Sequence, residues 1–408
     1  MAVAEQVDLV AAQQAATEAV SAAQDGLIEL SRFIHANPEI ALQEVKCSAA
    51  CADFLEQHGF TVTRGVADLP TAFEATMGAA EPRIAYLSEY DALPGIGHGC
   101  GHNLIAIAGI GAGIGLAAAL PYLGGKGQVA VFGTPAEEAV GGKIIMANAG
   151  VFDGVSAAMG AHPGTIEAVC PTVEGSGNAL ACVLVRTTFH GQAAHAAADP
   201  FNGVNALNAV IETFNGINAL RQHITSDARI HGIITHGGDV PNVVPHYAQA
   251  EFFVRAATLA GMNRLVEQVK RIAEGAALIT GASVEIEMPE EANSDMITNY
   301  TLAQRLSANM DRVGLKLPQA KPEPGSGSTD WGNVSYVVPS VETAYPIIDR
   351  NCTWHSQDVV DASVSDLGLG NTISVATAMA LTGVDLIADP HLIADVQDEF
   401  TRAKAARA

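Results

Sequence analysis

The sequence predicts an α/β domain interrupted by a smaller inserted α+β domain. Strand-like apolar runs alternate with helical patterns up to about residue 178, which favours a largely parallel sheet with covering helices. Between about 179 and 290 the order changes to β-α-β-β-α-β, the ferredoxin-like arrangement. The length of 408 residues accommodates two or three domains at roughly 150 residues each.

Taken in order, apolar residues recur at helical spacing through Leu27, Leu30, Phe33 and Ile34. They do so again through Cys47, Ala50, Cys51 and Phe54, where Gly59 closes the helix. Arg83–Leu87 reads as a strand. Leu104–Leu120 is uncharged and apolar and is long enough to be weighed as a membrane span. Its glycines at 109, 111, 113 and 115, the Pro121 that follows and the lack of basic residues before it favour a buried core helix. Val129–Phe132 is a strand, Gly142–Ala149 a helix and Val155–Met159 a further apolar run. In the insert, strands fall at Leu180–Phe189, Arg229–Thr235, Tyr247–Arg255 and Ser283–Met288. Helices fall at about Gly203–Ile224 and Met262–Leu278, and Pro289–Ser294 reads as a linker back. The expected domains are 1–178 and 291–408 for the two parts of the main domain and 179–290 for the insert.

The 44 acidic against 21 basic side chains leave a formal charge of −23. That surplus argues against nucleic acid or an anionic membrane as partner, since both require clustered Lys and Arg. Apolar residues make up 49% and charged residues 16%, which excludes intrinsic disorder. Cysteines at 47, 51, 100, 170, 182 and 352 form no disulfide framework. Cys47 and Cys51, four apart on a helix, read as core packing rather than a redox pair. Met1–Leu9 carries Glu5 and Asp8 and no basic residue, unlike a secretory signal. The expected compartment is the cytoplasm.

Four short segments could carry chemistry. In Gly97-His98-Gly99-Cys100-Gly101-His102-Asn103, glycines permit a tight backbone that aims Cys100 and His102 at one centre, and thiolate and imidazole suit zinc and similar ions. The same segment also reads as a glycine-rich turn with a core cysteine. Glu137-Glu138 follow a strand and Gly133-Thr134-Pro135. One carboxylate could bind a cation while its neighbour works on water, although alone the pair reads as a solvated helix N-terminus. His162 and His355 are weak signals singly. All four segments belong to the α/β domain, mostly at the carboxyl ends of strands, where open α/β sheets place their sites. Cys100, His102, Glu138, His162 and His355 suffice for two ions sharing ligands, and such pairs activate water and polarise a carbonyl. No Gly-x-Ser-x-Gly elbow is present, and Gly141-Gly142-Lys143-Ile144 is not a phosphate loop.

Longer motifs add a resemblance that spans nearly the whole chain. They are His35-Ala36-Asn37-Pro38-Glu39, Glu89-Tyr90-Asp91-Ala92-Leu93-Pro94, His98–Asn103 and Thr134–Glu138. His190-Gly191-Gln192-Ala193-Ala194-His195-Ala196, Pro241-Asn242-Val243-Val244-Pro245 and Gly327–Asn333 follow in the same order. The sequence resembles the aminoacylase, carboxypeptidase G and indole-acetyl-amino-acid hydrolase family of two-metal peptidases, nearest the aminobenzoyl-glutamate hydrolase branch. That resemblance implies a zinc-peptidase-like catalytic domain with an inserted ferredoxin-like lid or dimerisation domain. It implies Cys100, His102, Glu138, His162 and His355 as metal ligands, Glu137 as general base and Asp91 as the carboxylate that orients a ligand. His195 is implied to reach a neighbouring subunit's site, and Asn242 and Arg255 to hold substrate. Two positions depart from the pattern of many relatives: Glu89 stands where they have His or Asp, and Asn103 where Asp is frequent. Cys100 takes the place of a bridging Asp used across much of the wider family.

The implied activity is hydrolysis of the amide bond of N-acyl amino acids or related small amides, with two divalent ions per chain. Zinc suits the thiolate, and relatives also use manganese, cobalt or nickel. A homodimer or higher oligomer is expected, with a small-molecule amide or dipeptide as the other partner. The alternatives are a narrow dipeptidase and a catalytically silent dimeric binding protein.

Overall fold

Two helices, α1 (Leu9–Ala36) and α2 (Val45–Gln57), open the chain in the computed structural model, which describes residues 7–323, 325 and 327–407. The N-terminal segment Met1–Gln6 lies outside the described residues. Strands β1 (Thr61–Arg64), β2 (Phe73–Gly78) and β3 (Arg83–Ser88) follow, then α3 (His102–Ala119), β4 (Gln128–Gly133), α4 (Gly142–Asn148) and β5 (Ala157–Gly164). Next come β6 (Ala181–His190), α5 (Ala206–Leu220), β7 (Arg229–His236), β8 (Tyr247–Ala256), α6 (Leu259–Thr280) and β9 (Ser283–Glu287). The chain ends with α7 (Tyr300–Arg312), α8 (Trp331–Ser335), β10 (Ser340–Pro346), α9 (Gln357–Ala362), α10 (Asp366–Ala388) and α11 (Pro390–Ala405). These elements form two compact units. One comprises Met1–Asn178, Met296–Glu323 and Thr329–Ala408, and the other Ala179–Asp295 with Pro324–Ser328.

The first unit is built on a six-stranded sheet of order β1-β2-β4-β3-β5-β10. Strands β4, β3, β5 and β10 run parallel, whereas β2 is antiparallel to β4 and β1 to β2. The sheet is thus mixed rather than uniformly parallel. The link from β1 to β2 contains only a short 3₁₀ turn, Val66–Asp68, and no crossover helix. A parallel pairing needs such a crossover.

Helix α3 decides the core. All of its residues except Ala118 are buried. Its glycines lie on two faces. A Cβ at Gly113 would sit 2.3 Å from Val131 Cγ2 on β4, and one at Gly109 2.6 Å from the Leu87 carbonyl on β3. On the other face, a Cβ at Gly115 would meet Ala380 of α10 and Val20 of α1 at 2.7 Å. The glycines let one helix approach a sheet and two helices at once, so its uniformly apolar sequence is that of a central core helix. Both α3 with its C-terminal extension and α10 are long and apolar enough to cross a bilayer, and both are mostly buried within the protein.

The second unit is an antiparallel sheet of order β7-β8-β6-β9, with α5 and α6 packed through a shared core that includes Val183, Val185, Phe189, Val210, Phe252 and Val269. Its element order and strand order are ferredoxin-like, as the sequence predicts. Pro289–Ser294 is more than a linker. Asn293 exchanges both backbone hydrogen bonds with Cys182 of β6, at 2.9 and 3.0 Å, so the unit runs to Asp295.

Candidate metal centre

The site residues of the first unit gather at the carboxyl ends of its parallel strands. Glu89 and Asp91 continue β3, Glu137 and Glu138 follow β4, and His162 lies within β5. The parallel pairing of these neighbouring strands brings their ends together, where an open α/β sheet leaves a crevice. Cys100 and His102 flank Gly101, the N-cap of α3, whose φ of +79° is a left-handed conformation. A side chain there would be strained and would also press on the Pro163 ring at 3.0 Å. Glu137 and Glu138 are not at a helix N-terminus, because α4 begins only at Gly142. Ala136 before them has φ +62°, a left-handed turn, and both carboxylates come within 4.8 Å of His102 and of each other.

Three groups of donor atoms lie within 4.8 Å of one another: Cys100, His102 and His162; Cys100, Glu138 and His355; and His102, Glu137 and Glu138. Cys100 is common to the first two. His162 Nε2 is 3.4 Å from Cys100 Sγ, His355 Nε2 is 3.5 Å from Glu138 Oε1, and His102 Nε2 is 3.7 Å from Glu138 Oε1. Ligands at 2.0–2.3 Å from a tetrahedral ion are separated by about 3.3–3.8 Å. The spacing therefore fits cations placed between these atoms.

The unpartnered atoms point the same way. His102 Nε2 and Glu138 Oε1 are buried and have no hydrogen-bond partner, as has Glu89 Oε2, 3.5 Å from His102 Nε2. Such orphans are costly unless a ligand completes them. Tautomers are set by neighbours. Asp91 Oδ1 accepts from His102 Nδ1 at 2.9 Å, and the Pro163 carbonyl accepts from His162 Nδ1 at 2.7 Å. Both rings thus turn an Nε2 lone pair toward the centre. Asp91 Oδ2 also accepts the Glu138 backbone N–H at 3.0 Å, so one carboxylate orients two ligands. The Trp354 indole N–H donates to Cys100 Sγ at 3.3 Å.

Burial works against a charged His102, but the adjoining Asp91 and Cys100 outweigh it and hold the imidazole well above its ordinary value. Burial pushes the Cys100 thiol up to about 12. The centre therefore favours positive charge, which a proton can supply without a cation; cation binding displaces protons from such ligands. Glu137 is raised well above the usual carboxylate range by burial and by the nearby Asp330 and Glu89.

Behind the centre is a charge cluster that sequence reasoning did not identify. Lys143 is fully buried, with Nζ 2.8 Å from Glu89 Oε1 and 2.5 Å from Asp330 Oδ1. Asp330 Oδ2 accepts the Lys143 backbone N–H at 2.9 Å, and the Trp331 indole N–H donates to Glu89 Oε1 at 3.1 Å. Burial opposes a charged Glu89, but Lys143 and His102 hold its carboxyl below the ordinary range. The signal was present in Gly141-Gly142-Lys143 and in Asp330-Trp331. Nothing in one sequence pairs residues 187 positions apart.

His195, Asn242 and Arg255 belong to the second unit. His195 is exposed, and its Nδ1 accepts the Ala197 and Ala198 backbone N–H groups at 3.2 and 3.1 Å. Its neutral ring therefore carries the proton on Nε2. Asn242 adjoins it, its carbonyl accepting from the Ala196 N–H at 3.0 Å. Arg255 is near the far end of β8, where its guanidinium donates to Ser328 Oγ at 3.1 Å and lies 5.5 Å from the centre of the Phe253 ring. The strand start at Tyr247 is joined to the His195 corner through His246 and Gly191. Eight residues of extended chain from there to Arg255 span about 26 Å.

A mouse Xaa-Arg dipeptidase is 36% identical over 400 residues, covering 94% of this chain and 91% of the relative. The chain belongs to the M20 peptidase family. A p-aminobenzoyl-glutamate hydrolase chain from Escherichia coli is 30% identical, with 94% of this chain and 93% of the relative covered. Residues 182–280, in the second unit, match the peptidase dimerisation domain of this family. The fold is shared with a dinuclear metal-binding M20 peptidase from Bacillus subtilis, at TM-score 0.68, 22% identity and coverage of 90% of this chain and 99% of the other. It is shared also with an aminobenzoyl-glutamate utilization protein from Klebsiella pneumoniae, at TM-score 0.64, 20% identity and coverage of 88% and 97%. Members of this family are hydrolases of amide and peptide bonds, and this chain is a metal-dependent amidohydrolase of that kind.

Proposed function

We propose that the chain hydrolyses the amide bond of N-acyl amino acids and dipeptides with two divalent ions per subunit. The observation that carries this reading is the convergence of Cys100, His102, Glu138, His162 and His355 around unpartnered buried donor atoms, with Glu137 beside them. Zinc suits a shared thiolate best, and manganese, cobalt and nickel remain compatible with the imidazole and carboxylate donors. When bound, the ions supply Lewis acidity and ease the ionisation of water.

The residues divide the remaining work. Asp91 holds His102 and Glu138 in their liganding orientations. Glu137 takes the proton of the attacking water and delivers it to the departing amine, a role served by a carboxyl of raised proton affinity. The His195 Nε2–H donates to the oxyanion that forms on the carbonyl. Arg255 and Asn242 hold the substrate's polar ends.

The dimensions of the second unit support a homodimer. The His195–Asn242 corner and Arg255 are separated by about 26 Å of strand, and a small amide cannot touch both within one unit. The dimerisation-domain match supports two copies, each supplying the corner to its partner's site. The cytoplasm remains our reading of the compartment, on the sparse cysteine usage of the sequence. The mouse relative's name favours a second reading, a dipeptidase for Xaa-Arg substrates.

The test is a panel of N-acyl amino acids and dipeptides, Xaa-Arg included, with metal-reconstituted enzyme and elemental analysis. We expect two ions per chain and amine release that a chelator abolishes. Full activity at one ion per chain would overturn the two-metal reading, and no release from any amide by the fully loaded protein would overturn the activity.

A further inference from the structure

The turn that presents Glu137 is held from a distance. Ala136 has φ +62°, a conformation that an L-residue with a Cβ adopts only under constraint. Its carbonyl accepts the Gly141 N–H at 2.9 Å, and its own N–H donates to Glu44 Oε1 at 3.0 Å. Glu44 is fully buried and precedes α2, 92 residues upstream. The same Oε1 accepts the N–H of Leu42, itself at φ +61°, at 2.9 Å. Glu44 Oε2 accepts from Thr71 Oγ1 at 3.0 Å, and the Thr71 carbonyl accepts the Tyr90 hydroxyl at 2.5 Å. One buried carboxylate thus gathers two strained backbone turns and a pinned hydroxyl.

The two residues after Ala136 are anchored unequally. Glu138 has an independent hold, since its N–H donates to Asp91 Oδ2. Glu137 directly follows the Ala136 turn. A relaxed Ala136 would leave the metal ligand in place and misdirect the base.

We propose that Glu44 is a positioning residue for catalysis: by accepting the Ala136 N–H it fixes the left-handed turn that aims Glu137, while Glu138 is secured separately. This rests on the reading of Glu137 as the base. A carboxyl buried only to hold Leu42 and Thr71 would show no dependence on the conformation of Ala136.

The experiment compares wild type, Glu44→Gln, Glu44→Asp and Glu44→Ala, each with and without Ala136→Gly. Kinetics, metal content and hydrogen exchange of the segment 134–141 are measured on metal-loaded full-length protein. Glu44→Ala should lower kcat by about tenfold or more while KM and metal content hold, because misdirection of a reacting group acts on turnover. Exchange at Ala136 should quicken by about tenfold or more as the turn opens. Glu44→Gln should restore both, since its carboxamide oxygen accepts the same two N–H groups. Ala136→Gly should recover part of the loss in Glu44→Ala, because glycine holds φ +62° without strain. If Glu44→Ala does not fold, Glu44→Asp, one methylene too short, carries the same comparison. Unchanged kcat and unchanged exchange in a folded variant would overturn the proposal, as would equal losses with and without Ala136→Gly. Inactivity of the loaded wild type on every amide, with exchange at Ala136 still governed by Glu44, would overturn the activity and leave the turn's anchoring intact.

Discussion

Replacing Lys143 by methionine should destabilise the first unit by about 3–5 kcal/mol, the range for breaking a buried ion pair from one side. Methionine nearly matches the length of lysine, so the loss is one of charge rather than volume. It strands two buried carboxylates, Glu89 and Asp330, now 2.8 and 2.5 Å from the Lys143 ammonium. Each keeps one neutral donor, the Trp331 indole for Glu89 and the Lys143 backbone N–H for Asp330. A hydrogen bond to a charged group contributes about 1.5–3 kcal/mol, less than the desolvation of an uncompensated carboxylate. Adding Glu89→Gln and Asp330→Asn to Lys143→Met should therefore return much of the loss. The assay is urea unfolding followed by circular dichroism on metal-stripped protein at pH 7, with all variants read at the same salt. Glu89, held low in the folded state, adds stability that is present above its ordinary value near 4.3 and is lost as pH falls through the folded value. The wild type should accordingly weaken in acid more than Lys143→Met does. A loss below about 1 kcal/mol, the scale of an exposed pair, would refute the assignment of Lys143 as the buried counter-charge.

Glu137→Gln should retain its bound metal and the fold while losing about 10²- to 10⁴-fold in kcat, measured by amine release and elemental analysis; loss of metal instead would exchange its role with that of Glu138. Mixing inactive Glu137→Gln with inactive His195→Ala chains should restore about a quarter of wild-type activity, since half the dimers are mixed and each holds one intact site. Proven chain exchange without recovery would leave His195 acting in its own subunit or not at all. Glu342 is pushed up to about 8 by burial and by Glu89. Its contribution is fully present below its unfolded value near 4.3 and is lost as pH rises through 8, so Glu342→Gln should stabilise the metal-stripped protein at pH 9 by up to about 5 kcal/mol. An unchanged slope of stability between pH 5 and 9 would count against it.

The elements of the fold were largely legible in the sequence because apolar periodicity is a local property. The ferredoxin-like order of the insert followed from strands and helices that each bury one face, and α3 was recognisable as a core helix from its glycines. Strands β1 and β2 carry four and six residues with partly exposed patterns, too little periodicity to register, and their antiparallel attachment depends on partners outside the segment.

The candidate ligands were nameable for a similar reason. Cys100 and His102 flank Gly101 in one glycine-rich segment, and Glu137-Glu138 form a conspicuous pair. What their sequence settled was residue type, because thiolate, imidazole and carboxylate are the side chains that zinc and similar ions take as ligands. Which donors share a centre, which tautomer each ring takes and which carboxylate needs Lys143 were decided only by tertiary structure. Those properties depend on separations of a few ångströms between residues such as Lys143 and Asp330, Glu44 and Ala136, or Trp354 and Cys100. Desolvation and Coulomb forces act through space, and only the packed sheet brings these distant segments within their range.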